Sequence, residues 1–226
     1  MTEHRFESRD EASTAAASRI AELLKYRLKH QDHASFVISG GSSPLECFRA
    51  LSETPLDWDR VDILLSDERW VPPDHADSNE KLAREALLVD KASEAQLQPV
   101  YAAGVSAEQR CDDLQDPLPM LPFSCALIGM GTDGHFASLF PDADNLESGL
   151  DVESARLYIP VATAASPHPR VSMTLAGISR SDEIVLLFFG EEKLAIYEQA
   201  RADANGFPVS KLLRQKRAPV RVFWAP

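Results

Sequence analysis

The residues best able to do chemistry in this sequence lie in one glycine-rich segment, GMGTDGH, at positions 129–135. A histidine titrates near neutral pH, so its ring can accept a proton from a water molecule. A neighbouring carboxylate can orient that ring and stabilise the imidazolium that forms. An isolated histidine is more often structural than catalytic, but Asp-Gly-His after an apolar run favours chemistry. We therefore predict His135 as a general base with Asp133 as its partner.

A second segment, Ser39-Gly40-Gly41-Ser42-Ser43-Pro44-Leu45-Glu46, is typical of an anion site at the start of a helix. Its glycines allow a tight turn and a close approach of a ligand to the backbone. Ser43 and Glu46 have the spacing of a capping box, and Pro44 suits the first helical position. Alone, the pattern favours a well-capped helix without a ligand, because it lacks the lysine of a P-loop.

Charged residues follow another apolar run, in Ser66-Asp67-Glu68-Arg69, and the segment continues to Asn79. The planar fork of donors on Arg69 suits a phosphate group. An internal salt-bridge network on a surface loop explains these charges equally well. Arg170 and Lys193 are further candidates to complete a phosphate site, although an exposed lysine at the start of a helix is normally just solvated.

Short apolar runs alternate with segments of helical periodicity, which predicts one α/β domain over residues 1–226. Such alternation is typical of a mainly parallel sheet with helices on both faces. Ligands of such sheets bind beyond the carboxyl ends of the strands, where the candidate segments fall, except for Arg170, which precedes a predicted helix. The predicted strands are 36–38, 61–65, 97–101, 125–128, 158–161, 183–189 and 220–224, and the predicted helices are 11–30, 44–51, 79–88, 107–114, 172–180 and 191–202, with loops at Asp116–Pro122 and Ser166–Pro169.

Composition excludes several classes of function. The formal net charge of −12 argues against nucleic acid or an anionic membrane as a partner. The polar start is unlike a signal peptide, and three scattered cysteines fit a reducing compartment, so we expect a cytoplasmic protein. No pair of histidines has metal-ligand spacing; His30 and His33 lie at a polar helix end, and His75 and His168 lie in predicted loops. A serine-hydrolase nucleophile elbow is absent as well.

The glycines at 129, 131 and 134 formally match the dinucleotide fingerprint G-x-G-x-x-G, which would indicate an NAD-dependent dehydrogenase. The match lies late in the chain and is followed closely by a histidine and a proline. No later strand supplies a ribose-binding acid at the expected distance. We therefore interpret the segment as a turn that exposes Asp133 and His135.

Taken together, the blocks SGGSSP, SDERWVP…DSN, IGMGTDGHFASLFP, PRVSMTL and GEEK resemble the 6-phosphogluconolactonase family, which is related to the glucosamine-6-phosphate isomerase/deaminases. The departures are mild, with Ser43 in place of the usual threonine and Ile128 in place of leucine. The resemblance implies a Rossmann-like fold, no metal or organic cofactor, and hydrolysis of 6-phospho-D-glucono-1,5-lactone in the oxidative pentose phosphate pathway.

The resemblance also implies roles for individual residues. His135 would be the general base and Asp133 its partner. The phosphate would be held by Gly41, Ser42, Arg69 and Lys193, with Arg170 nearby, and the other residues expected in the substrate site are Gly40, Ser43, Asp67, Asn79 and Gly131. The expected partner is a small phosphorylated sugar lactone, and the chain would be a monomer or a small homo-oligomer.

Two alternatives on the same fold remain. The first is an amino-sugar phosphate isomerase/deaminase, in which a glutamate usually stands five residues after the motif histidine. That position is Phe140 here, so a carboxylate needed for proton transfer is missing. The second is a non-catalytic sugar-phosphate sensor, which would normally carry a basic DNA-binding segment that this acidic chain lacks. Binding of ligand without turnover would identify a sensor.

Overall fold

A computed structural model describes residues 1–115, 122–204 and 206–226. Within it, seven parallel strands form the central sheet in the order β1-β10-β9-β6-β2-β3-β5. Strands β4, β8 and β7 form a second, antiparallel sheet. The strands are β1 Thr2–Arg5, β2 Ala34–Ile38, β3 Val61–Leu65, β4 Asp67–Arg69, β5 Gln96–Gln98, β6 Cys125–Ile128, β7 Tyr158–Val161, β8 Arg170–Met173, β9 Ile184–Phe189 and β10 Val220–Ala225.

Helices cover the parallel sheet, as the alternating pattern predicts. The first of them buries Ala16, Ile20 and Leu24 and begins at Ser8, whose side chain accepts a hydrogen bond from the Glu11 amide. The helices are α1 Arg9–Leu28, α2 Leu45–Ser52, α3 Asn79–Ala86, α4 Ala107–Asp113, α5 Leu146–Leu150, α6 Leu175–Ile178, α7 Glu191–Ala202 and α8 Pro208–Arg214, with short 3₁₀ turns at Trp58–Arg60 and Asp90–Glu94.

Strands are added to the parallel sheet on opposite sides of the neighbouring pair β2 and β6. From β2 the chain proceeds to β3 and β5 on one side, whereas from β6 it proceeds to β9 and β10 on the other. The loops that follow β2 and β6 therefore separate and leave a crevice at the carboxyl ends of the strands. The segments SGGSS and GMGTDGH follow these two strands, so the fold places both at the crevice.

The second sheet corrects two expectations from the sequence. Tyr158–Val161 has its predicted bounds, but it belongs to the antiparallel sheet and not to the parallel one. The helix predicted over Ser172–Arg180 is wrong at its start, because Arg170–Met173 is strand β8 and only Leu175–Ile178 is helical. Arg170–Met173 is a strand because it pairs with β4 on one side and β7 on the other, and Thr174 caps the short helix through the Gly177 amide.

Both sheets share one buried hydrophobic cluster, which includes Phe36 and Ile63 from the parallel sheet and Tyr158 and Val171 from the antiparallel one. The predicted loop Asp116–Pro122 falls, except for Pro122, outside the described residues. Among the helices that are described, none combines the length and the apolar character needed to cross a membrane.

Candidate functional site

A cleft of about 380 Å³ opens at the carboxyl ends of β2, β6 and β9. Three cationic side chains and one carboxylate line it together with a histidine, several hydroxyls and backbone turns. The lining residues are Ser39, Gly40, Gly41, Ser42, Ser43, Asp67, Arg69, Asn79, Gly129, Met130, Gly131, His135, Phe136, Ala137, Phe140, Ala165, Arg170 and Lys193.

His135 and Asp133 form a close pair on the loop after β6. The Nδ1 atom of His135 lies 2.6 Å from Asp133 Oδ1, and the same oxygen accepts the backbone N–H of His135 at 3.1 Å. Burial alone would raise the pKa of Asp133, but the hydrogen bonds and charge of His135 outweigh it, so the pKa lies below its ordinary value. Asp133 is therefore an ionised acceptor, and Nδ1 of His135 carries the hydrogen.

Two glycines shape the loop that carries this pair. A Cβ atom at Gly131 would lie 2.3 Å from the His135 ring and 2.7 Å from Asp133 Oδ1. Gly134 has a φ of +75°, which favours glycine, and its backbone packs against Phe207. Of the three glycines that resemble a dinucleotide fingerprint, Gly131 is therefore the one that makes space for the histidine.

The structure of the glycine loop differs from that of a dinucleotide-binding fingerprint. A Rossmann fingerprint requires a helix to begin at the glycine turn, so that its amide groups can meet the pyrophosphate. In the described stretch 122–204, the first helix after β6 is α5, which begins only at Leu146. The glycine loop is therefore not the start of a helix.

Phe140 packs flat against the general-base candidate. Its ring centroid lies 4.1 Å from that of His135, with 30° between the ring planes. The guanidinium of Arg170 lies over Phe140, 5.2 Å from the ring centroid. An apolar ring thus occupies the place next to His135 where the related deaminases are expected to carry a glutamate.

Asp67 and Arg170 meet because β4 and β8 pair in antiparallel register. Asp67 Oδ2 lies 3.5 Å from Arg170 Nη1 and accepts the Ser138 hydroxyl at 2.6 Å. Its Oδ1 atom accepts the Ser66 hydroxyl at 3.0 Å. Burial lowers the pKa of the Arg170 guanidinium, and Asp67 opposes that shift. The internal network considered from the sequence therefore exists, and it lies in the wall of the cleft.

Glu68 is fully buried and joins β4 to the start of α3. Its Oε1 atom accepts the amides of Arg69 and Asn79 at 2.8 and 2.7 Å. Its Oε2 atom accepts the Ser78 hydroxyl and the Glu80 amide at 3.0 and 2.8 Å. Burial raises the pKa of Glu68, and these donors offset only part of the rise. This carboxylate positions Arg69 and Asn79 without lining the cleft.

Arg69 and Asn79 each present one buried polar atom that has no partner within the described residues, Nε and Oδ1 respectively. Arg69 also donates through Nη1 to the carbonyl of Asp77 at 2.8 Å, and the Asn79 amide donates to the carbonyl of Asp67. Gly40 is needed beside them, because a Cβ there would lie 1.9 Å from Asn79 Oδ1. Unpaired buried polar atoms on residues that line a cleft favour a polar ligand.

The opposite wall is formed by the loop after β2 and the start of α7. The capping box predicted for Ser43 and Glu46 is wrong: α2 begins at Leu45 after an N-cap Pro44, and no side chain caps it. Ser43 instead lines the cleft. Lys193 lies in the first turn of α7, and burial, followed by the charge of Arg9, lowers its pKa.

All twelve residues predicted from the sequence for the site converge here. Eleven line the cleft, and Asp133 lies directly behind His135. Sequence reasoning missed Ser138, which links Asp67 to Arg170, and did not assign Phe140 to the site. The only signal for Ser138 is a small polar residue inside the otherwise apolar run FASLF.

The chain is similar to known proteins over nearly its whole length. Residues 7–224 match the family model described as glucosamine-6-phosphate isomerases/6-phosphogluconolactonase. The 6-phosphogluconolactonase of Caulobacter vibrioides is 38% identical, covering 97% of this chain and 95% of that protein. The enzyme of that name from Mesorhizobium japonicum is 37% identical, covering 98% and 94%. A crystal structure of a 6-phosphogluconolactonase from Shewanella baltica matches with a TM-score of 0.94 and 35% identity, covering 100% and 98%.

Proposed function

The chain belongs to the glucosamine-6-phosphate isomerase/6-phosphogluconolactonase family, and from that premise we propose that it hydrolyses 6-phosphogluconolactone to 6-phosphogluconate. The observation that carries the proposal is the His135–Asp133 pair at 2.6 Å, facing the cleft that also holds three cationic side chains. A δ-lactone is an activated ester, so attack by water assisted by a general base suffices and no covalent nucleophile is required.

The hydrogen bond between Asp133 and His135 determines which ring nitrogen of His135 acts as the base. Because ionised Asp133 accepts the hydrogen on Nδ1, the neutral ring of His135 has its lone pair on Nε2. Nε2 takes a proton from water while the water oxygen bonds to the lactone carbonyl carbon. When the tetrahedral intermediate collapses, the bond from this carbon to the ring oxygen breaks, and the proton on Nε2 returns to that oxygen. Asp133 stabilises the imidazolium between these steps.

We assign two roles to the cationic side chains: binding of the phosphate and stabilisation of the developing oxyanion. Arg69 and Lys193 line the cleft with the loop Gly41-Ser42, and we assign the phosphate to this group. The guanidinium of Arg170 lies over the ring of Phe140, and that ring also stacks on His135. Arg170 is therefore near the reacting atoms. We assign Arg170 to stabilisation of the oxyanion, a form of catalysis that acts strongly in a partly desolvated site.

Phe140 favours lactone hydrolysis over amino-sugar isomerisation. The isomerase reaction needs a further proton-transfer group next to the histidine, whereas the ring of Phe140 stacks on His135 there. Lactone hydrolysis uses a single base that returns the same proton, and an apolar neighbour is compatible with it.

The test is acceleration of lactone hydrolysis over the spontaneous rate. The lactone is made in situ from limiting glucose 6-phosphate by its dehydrogenase, and 6-phosphogluconate is followed by a second coupled dehydrogenase. Loss of general-base catalysis in His135→Ala should lower kcat roughly a hundredfold to ten-thousandfold. The inhibition constant of the product should change little in this variant, because its phosphate contacts remain.

Two results would count against this reading in different ways. Full turnover by His135→Ala would remove His135 from the mechanism while leaving the activity in place. Absence of acceleration by the folded wild-type protein, together with binding of the product in titration calorimetry, would indicate a non-catalytic sensor instead.

A further inference from the structure

Three side chains outside the cleft meet on two adjoining loops. His75 and Asp77 lie on the loop between β4 and α3, and His168 lies on the loop that enters β8. Because Arg69 pairs with Arg170 in the antiparallel ladder, the chain leaving β4 and the chain entering β8 run side by side. The hydrogen bond from the Trp70 amide to the Pro169 carbonyl, at 2.8 Å, extends this pairing toward the cluster.

The potential ligand atoms of this cluster are close enough for one ion. His168 Nε2 lies 3.0 Å and His75 Nδ1 lies 3.8 Å from the same oxygen, Asp77 Oδ2. One nitrogen or oxygen from each of the three residues lies within 4.8 Å of the others. Bonds of about 2.0–2.2 Å in a tetrahedral zinc site separate its ligand atoms by roughly 3.3 Å. Small side-chain rotations would therefore bring the three atoms around a common centre.

The chemical state of these groups suits a cation. The backbone amide of Asp77 donates to His75 Nδ1 at 3.1 Å, so this nitrogen carries a lone pair, which an incoming ion would take over. Asp77 Oδ2 lies 3.0 Å from His168 Nε2, and the neutral tautomer of His168 with its hydrogen on Nδ1 presents a lone pair at Nε2 to an ion bound beside this carboxylate. The side chains of His75, Asp77 and His168 are 43%, 55% and 27% exposed, which leaves a path for an ion and its water ligands.

We propose that His75, Asp77 and His168 bind a divalent transition-metal ion such as Zn²⁺, with water completing the coordination. Two imidazoles and one carboxylate form a donor set that prefers such ions over Mg²⁺ or Ca²⁺. The ion is a structural clamp and takes no part in the reaction assigned to His135. No metal was expected from the sequence, because the two histidines lie far apart in the chain and only the fold brings them together.

The clamp would act on the neighbouring cleft. The carbonyl of Asp77 accepts the hydrogen bond from Arg69 Nη1, so a metal bound to the Asp77 side chain fixes the acceptor of Arg69. His168 lies two residues before Arg170. The ion would therefore join the two loops that carry Arg69 and Arg170, and we expect it to raise the thermal stability of the protein.

The test is metal binding by the full chain without a polyhistidine tag, after treatment with EDTA and in the absence of substrate. Titration calorimetry with ZnCl₂ should give one site per chain, and Co²⁺ should give visible absorption bands. His75→Ala and His168→Ala should each weaken binding roughly tenfold or more, since loss of even an outer-shell partner has an effect of that size. His30→Ala, which removes an exposed histidine at the end of α1, should bind like the wild type.

His135 is the main competing ligand, so His135→Ala is the decisive comparison. Binding that persists in His135→Ala and is weakened in His168→Ala supports the clamp. Binding that is lost in His135→Ala, or unchanged in both loop variants, overturns it. Melting curves without metal verify that each variant is folded. Because no turnover is measured, failure of this proposal is distinguishable from failure of the proposed lactone hydrolysis.

Discussion

Replacement of Gly131 by alanine is the sharpest test of how the general base is positioned. The added Cβ would lie 2.3 Å from Nδ1 and Cε1 of His135 and 2.7 Å from Asp133 Oδ1. Gly131 does not have a positive φ, so alanine fits the backbone conformation itself. The backbone is held by the hydrogen bond from the Gly131 amide to the His135 carbonyl at 2.9 Å. The conflict is therefore confined to the two catalytic side chains.

The size of the effect follows from these distances. Ordinary contact with a Cβ begins near 3.4 Å, so the imidazole must move by about 3.4 − 2.3 = 1.1 Å. Such a shift disrupts the 2.6 Å hydrogen bond to Asp133 and moves Nε2 away from the water. A misplacement of about 1 Å can cost roughly a hundredfold in rate, so we expect kcat to fall by about that factor.

The folded protein should tolerate the change. The side chain of His135 is 27% exposed and has room to rotate outward. Alanine also lowers the entropy of the unfolded chain, which stabilises the protein by about 0.4–1 kcal/mol where the native φ is allowed. We therefore expect a melting temperature within a few degrees of the wild type, together with a large loss of kcat.

The assay is the coupled measurement of lactone hydrolysis with a no-enzyme blank, beside Gly206→Ala as the matched control. Gly206 does not line the cleft and does not have a positive φ, and a Cβ there would meet only the Asp203 side chain, at 3.1 Å or more. Its kcat should stay within about threefold of the wild type, because His135 is not displaced. Equal kcat for Gly131→Ala and the wild type would refute the assignment of His135 and Asp133.

Three further predictions concern the charges. Asp133→Asn should lower kcat roughly ten- to a hundredfold with little change in KM, because the imidazolium of His135 loses a partner that is only partly screened by solvent; an unchanged kcat would show that Asp133 serves another purpose. Arg69→Ala should raise KM roughly ten- to a hundredfold by removing a charge-assisted phosphate contact, with kcat nearly kept; an unchanged KM would place the phosphate elsewhere. Burial alone would raise the pKa of Glu183, but the hydrogen bonds and charges of Arg19 and Arg221 outweigh it, so the pKa lies below its ordinary value of 4.5. Its ion pairs therefore stabilise the protein above pH 4.5 and are lost as the pH falls through the lowered pKa. Glu183→Gln should cost about 1–3 kcal/mol in urea unfolding at pH 7, and the difference should vanish in acid; a constant difference would contradict this.

The elements that sequence reasoning located well are buried strands with an apolar run and a helix whose buried residues Leu194, Tyr197 and Ala200 recur at helical spacing. Val61–Leu65, Cys125–Ile128 and Glu191–Ala202 have their predicted bounds. The two strands are buried on every residue, so apolar runs between turn residues define them. Strand β1, Thr2–Arg5, escaped prediction because it is polar and pairs only with β10 at the edge of the sheet. Its formation depends on a tertiary partner and not on its own pattern.

Eleven of the residues that line the cleft were named from the sequence, but the antiparallel sheet that carries Asp67, Arg69 and Arg170 was not predicted. The two glycine loops are recognisable from their composition. Because each follows a predicted parallel strand, both are expected at the carboxyl edge of the sheet, where ligands bind. Asp67–Arg69 carries three charged side chains, which is unlike a strand by propensity. It forms one because Glu68 is satisfied by four donors and Asp67 by Ser66 and Ser138. Such compensation comes from residues distant in sequence, and no local pattern reports it.

The antiparallel sheet explains why an acidic protein has a local site for an anion. Arg69 and Arg170 stand directly opposite each other in the β4–β8 ladder, where like charges normally destabilise a sheet. Asp67 compensates part of this charge from 3.5 Å away, and its own carboxylate is held by hydroxyl groups within the wall. The remaining positive charge faces the cleft, beside the unpaired Nε atom of Arg69. In the proposed mechanism the substrate neutralises both guanidiniums, because its phosphate is held by Arg69 and its developing oxyanion by Arg170, and both groups offer negative charge and hydrogen-bond acceptors.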